Sequence, residues 1–128
     1  MTATVQKLID GPRNAVFHIV GVGATTAQVV VDVSTLSGSP SEVRVDKIKG
    51  STNGSGGGNS KQMQLLWDAT TDVAFMAIGA NENIDIDYCD IGGLKNNAGA
   101  GKTGDVLLTS AGDTQGQYAI TLYCVKKY

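Results

Sequence analysis

Apolar and polar residues alternate along most of this chain, and almost nowhere do they recur at the three-to-four-residue spacing of a helix that buries one face. Thr4 to Ile9 reads as a first strand, stopped at Asp10-Gly11-Pro12, where glycine and a proline of fixed φ make a turn. From Asn14 to Val22, Ala15, Phe17, Ile19 and Gly21 alternate with Val16, His18, Val20 and Val22. Both sets are largely apolar, which predicts a central strand. Gly23-Ala24-Thr25 is a short turn into Gln28 to Ser34, and the pair reads as a hairpin. Leu36 to Ser41 is loop. Glu42 to Lys49 then sets Val43, Val45 and Lys47 against Arg44, Asp46 and Ile48, a half-exposed strand.

The second half repeats this grammar. Met63 to Trp67 and Val73 to Ile78 are strands flanking a turn at Asp68 to Asp72, and Ile84 to Tyr88 alternates cleanly. Gly104 to Ser110 and Gln117 to Val125 close the chain on either side of Ala111 to Gly116. Roughly eight or nine short strands result, which predicts an all-β, single-domain antiparallel β-sandwich of jelly-roll or Greek-key type. A barrel fits the same pattern, but a parallel sheet does not, because crossover helices are missing. A chain of 128 residues is long enough to bury one real core. Ser51 to Ser60, glycine-rich with small polar residues, predicts a flexible hairpin tip, because such side chains bury nothing that offsets the entropy of ordering them.

Charge and composition then remove whole classes of function. A net charge of −2, a pI near 5.1 and scattered basic residues provide no positive field for nucleic acid. No apolar run approaches the length of a membrane span, and the first residues lack the basic-then-apolar layout of a signal peptide, so the expectation is a soluble protein made in a cytoplasm. Cys89 and Cys124 are too few for a disulfide framework and are expected as reduced thiols. Aromatic residues are 5% of the chain, a poor supply of stacking platforms for sugar or single strands, and the lone Trp67 reads as core at a strand end.

The stretch from Asp90 to Asp105, DIGGLKNNAGAGKTGD, holds Gly101-Lys102-Thr103 and so invites comparison with a phosphate-binding loop. The motif G-x-x-x-x-G-K-[ST] needs a first glycine where Asn96 stands, and a helix afterwards where a short strand follows. Asp85, Asp87 and Asp90 lack the spacing of a calcium loop, and alternation places Asp85 and Asp87 on a solvated strand face. His18 has no cysteine or serine near it in sequence, and no G-x-S-x-G elbow is present. The expectation is a protein without catalysis, cofactor or metal. A long loop rich in Gly and Asn then predicts interaction. Asn96, Asn97 and Lys102 offer hydrogen-bond donors to a partner, and Gly99 and Gly101 let the backbone approach it closely.

Three blocks, Ile9 to Val16 (IDGPRNAV), Leu65 to Ala69 (LLWDA) and Asp90 to Leu108, resemble in sequence and order a family of small tailed-bacteriophage virion proteins. The resemblance implies a structural component, a head decoration or cement protein, with no catalytic residues to carry over. The glycine-rich insert at 51–60 departs from the family pattern. The implied partner is the major capsid protein on the capsid exterior, with assembly in the host cytoplasm and a dimer or trimer as the working unit. Two alternatives stand beside it: a neck or tail structural protein of the same virion, and a host-surface glycan-binding module.

Overall fold

The computed structural model of the chain describes residues 3–53, 63–79, 82–110 and 117–128. The alternating runs become the strands β1 (Thr4–Asp10), β2 (Asn14–Val22), β3 (Thr25–Val31), β4 (Glu42–Asn53), β5 (Met63–Trp67), β6 (Val73–Ile78), β7 (Asn83–Asp87), β8 (Val106–Ser110) and β9 (Gln117–Lys127). They pair into a five-stranded sheet, β1-β2-β9-β4-β7, and a four-stranded sheet, β3-β8-β5-β6, with every ladder antiparallel. From β2 onward the orders 2-9-4-7 and 3-8-5-6 are those of an eight-stranded jelly roll, to which β1 adds an edge.

The hairpin expected between Asn14–Val22 and the following run does not form. β2 lies between β1 and β9 in the larger sheet, whereas β3 pairs with β8 in the smaller one. Gly23, at φ +77°, turns the chain across the sandwich instead of back along the same sheet. A short glycine turn signals a reversal, and the distribution of apolar residues decides which sheet receives the chain. Phe17 and Ile19 of β2 and Val31 of β3 enter the same core, which two opposed sheets allow.

That core is filled from both layers, with Phe17, Ile19, Val45, Ile48, Ile120 and Leu122 on one side and Val31, Leu65, Trp67, Val106 and Leu108 on the other. Each such side chain contributes about 1.5–3 kcal/mol on leaving water. Trp67 is 1% exposed and stacks on Phe75 with ring centroids 4.1 Å apart. In β4 the simple alternation breaks. Val45 lies opposite Cys124 and Lys47 opposite Tyr123, so Asp46 is an extra residue on β4. This bulge reverses the phase, turning Ile48 into the core and Lys47 onto the outer face, where strict alternation had put Lys47 with Val43 and Val45. Ser51 to Asn53 of the expected flexible tip extend β4; residues 54–60 of that tip lie outside the described residues.

Candidate functional site: one end of the sandwich

The turn between β1 and β2, the β3–β4, β5–β6 and β7–β8 connections and the final residue Tyr128 gather at one end of the sandwich. Hydrogen bonds between loops hold this end together. At its centre the Lys126 side chain is fully buried, ion-paired with Asp10, and donates to the carbonyls of Gly11 (2.6 Å) and Ser37 (2.8 Å). Three acceptors match the three donors of an ammonium, which is how a charge is tolerated away from water. Asp10 also accepts the Ser37 backbone N–H at 3.1 Å and pairs with Lys7 at 3.2 Å. The bound Lys126 ammonium, helped by the Ser37 N–H and Lys7, holds the Asp10 carboxyl down at about 2. The Tyr128 hydroxyl donates to the Pro12 carbonyl (2.7 Å), fastening the last residue to the same turn.

The Asp90–Asp105 stretch lies across this end, docked at both of its flanks. Cys89–Ile91 form one 3₁₀ turn, after which Leu94 exchanges two backbone hydrogen bonds with Val45 (2.7 and 3.0 Å). Further on, Thr70 N–H donates to Ala100 O (3.1 Å) and Thr103 Oγ1 to Asp68 Oδ2 (2.8 Å). Asp68 N–H donates to Asp105 O (3.1 Å), and Asp105 Oδ1 accepts from Val33 N–H (3.0 Å). Burial pushes the Asp105 carboxyl above the usual carboxylate range, against the pull of that bond. Gly101 (φ +78°) and Gly104 (φ +90°) occupy the left-handed region, and a Cβ on either would collide, with Thr70 and with the Ser41 carbonyl respectively.

The expected contact residues therefore divide. Asn96 is not a surface donor. It is 8% exposed, its Oδ1 accepts the Ala98 N–H at 3.0 Å, and its buried Nδ2 has no hydrogen-bond partner. A short polar side chain that bonds the backbone two residues on folds inward with its own turn, and this signal was available in the Asn-Asn-Ala sequence. Asn97 and Gly99 are exposed, and a Cβ on Gly99 would meet nothing within 4 Å. Gly101 is exposed, but its conformation serves the loop itself. Lys102 reaches back to Glu42 (3.0 Å) across the exposed rim. Sequence reasoning missed Asp10, Asp68, Asp105 and Lys126 as the residues that organise this end. The three aspartates flank turns and so carried a weak signal; Lys126 carried none, because a lysine near a strand end ordinarily points to water.

The remaining candidates sit elsewhere. Asp85, Asp87 and Asp90 are exposed, and among the described residues no group of three or more His, Cys, Asp or Glu side chains gathers to hold a metal. His18 is half-buried on the outer face of the larger sheet, its Nδ1 3.0 Å from Thr121 Oγ1. Both cysteines are free. Cys89 is exposed with its thiol raised, chiefly through its contact with Asp87, and Cys124 is buried with its thiol pushed up to about 12. Neither has the low pKa of a reactive thiolate.

Three stretches of the chain meet here: Ile9 to Val16 as the β1–β2 corner, Leu65 to Ala69 as the end of β5, and Asp90 to Leu108 as the long loop with β8. Each brings an aspartate that accepts hydrogen bonds from another part of this end: Asp10, Asp68 and Asp105. Compared with known protein families and with curated proteins, the chain matches no family model and no curated sequence.

Proposed function

We propose that this protein is a non-enzymatic virion structural component of a tailed bacteriophage, which decorates the head exterior and stabilises it by bridging major capsid protein subunits. The observation that carries this reading is the convergence of the three resembling blocks on one hydrogen-bonded end. That end presents Asn97, Gly99 and Lys102 from a loop fixed at both flanks. A loop already ordered in the free protein loses little entropy on docking, so a modest contact retains more of its binding energy. Function then comes from area and copy number: an oligomer, dimer or trimer, engages several subunits at once and gains by avidity.

The test compares heads assembled with and without the protein. The expected result is several hundred copies per particle, a lower temperature of DNA release without them, and recovery of that temperature on adding the purified protein back. Gly99→Val should weaken re-binding while leaving the isolated domain folded. A handful of copies in each virion moves the assignment to a neck or tail ring. Unchanged heat resistance of particles lacking the protein refutes cementing.

A further inference from the structure

Among the described residues four strands lie at sheet edges: β1, β3, β6 and β7. Three of them carry extra residues that break their ladders: Leu8 in β1, two shifts in β3, and Phe75 in β6. A bulge bends an edge and spoils its register, a recurrent way of closing it to a second strand. β7 differs, since its five residues pair with β4 without a shift from Lys47↔Asp87 to Ser51↔Asn83. Thr52 N–H donates to Glu82 O and Tyr88 N–H to Asp46 O. These bonds set the phase: Glu82, Ile84, Ile86 and Tyr88 point their backbone groups at β4, whereas Asn83, Asp85 and Asp87 point theirs out from the sheet edge.

Charge decides what such an edge accepts. The side chains of Asn83, Asp85 and Asp87 are exposed, and Asp85 and Asp87 lie opposite Lys49 and Lys47 on β4. Nothing cationic among the described residues is paired with Asp87 on its open side, for its single salt-bridge partner is Lys47 at 3.9 Å. Self-pairing of two β7 edges about their centre sets Asp85 against Asp85, or Asp85 against Asp87, and like charges directly opposite are destabilising. A strand with Lys or Arg at alternate positions instead places a cation beside each carboxylate while its backbone bonds Asn83, Asp85 and Asp87.

We propose that the open edge of β7 is an acceptor site for an extended, basic segment of another protein chain, which adds antiparallel to the larger sheet as a sixth strand. The inference rests on backbone phase and charge alone and is independent of the virion reading.

The test uses the alternating peptide acetyl-Val-Lys-Val-Lys-Val-Lys-amide with the full chain, read by residue-resolved amide hydrogen exchange. At saturation, exchange at Asn83, Asp85 and Asp87 should slow by about tenfold or more, while Ile84 and Ile86, already bonded to β4, change little. Asp85→Pro removes only an outward N–H and puts the proline ring in the path of the incoming strand, so it should abolish binding and keep the β4 pairing. Asp85→Lys, a surface change that leaves the backbone intact, should weaken binding about tenfold by turning attraction into repulsion. The peptide with Glu for Lys should not bind. Absence of protection at these three amides, or equal affinity of the parent and both Asp85 variants, overturns the proposal.

Discussion

Gly104 offers a sharp test of how the long loop is held. Its φ of +90° lies where a side chain is strained, at a cost of about 1–2 kcal/mol for an L-residue. The added Cβ would also strike the Ser41 carbonyl oxygen and come within 3.1 Å of Ser41 C and 3.2 Å of Glu42 Cα. These are backbone atoms at the start of β4, where Ser41 N–H donates to Lys127 O (2.8 Å) and Glu42 lies opposite Lys127, so they cannot move without loosening β4 from β9. Overpacking of this kind costs about 1–3 kcal/mol, and the stiffer unfolded chain returns about 0.4–1 kcal/mol. Gly104→Ala should therefore lose about 1–4.5 kcal/mol, a fall in Tm of roughly 10 °C near the middle of that range for a domain of this size. Gly99→Ala is the matched control, with no positive φ and no atom within 4 Å, and should be neutral or slightly stabilising. Urea unfolding followed by Trp67 fluorescence measures both, because the only tryptophan passes from 1% exposure to water. A Gly104→Ala midpoint within about 0.5 kcal/mol of the parent, at unchanged m, refutes the account of this glycine.

Acid should expose the Asp10 contribution. Its folded pKa of about 2 lies below the ordinary value of 3.8, so its stabilisation is present above pH 4 and is lost as pH falls through 2. Urea midpoints should decline over that window in the parent, with a smaller decline in Asp10→Asn. Alkylation without reductant should label Cys89 in the native protein and Cys124 only after denaturation, because one thiol is exposed and the other buried. A disulfide in freshly purified protein contradicts this. Trp67→Ala should cost about 3–5 kcal/mol, since it empties a fully packed site; urea unfolding followed by circular dichroism measures it, because the variant has lost the only tryptophan and its fluorescence.

Period-two patterning was enough for the architecture, because a strand with one buried face must alternate. β2, β5 and β6 coincide with the runs read from sequence, and the sandwich follows from their number. What alternation cannot carry is partnership. Whether β2 turns back onto β3 or crosses to the other sheet depends on which strands compete for its edges, and β9, more than ninety residues further along, wins one of them. The Asp46 bulge hid in the same way, for an inserted residue looks like any other polar position until Ile48 must enter the core. In the candidate site, exposure was inferred from residue type. Asn97 is exposed, whereas Asn96 is buried, because its side chain accepts the Ala98 N–H and folds inward. Lys126 was illegible for a related reason: its burial depends on three acceptors from Asp10, Gly11 and Ser37, far away in the chain.

The place of β9 bears on biosynthesis. Residues 117–127 form the middle strand of the larger sheet, with β2 on one side and β4 on the other. A ribosome that has released everything before them has made the two flanks of a gap, each with an unpaired backbone edge beside apolar side chains. The larger sheet therefore closes only once this last strand has emerged, and contacts of such long sequence separation form slowly. During that interval the nascent chain offers strand edges to its neighbours on the same polysome, and the time spent open, more than the stability of the finished sandwich, governs how much of it is lost to aggregation.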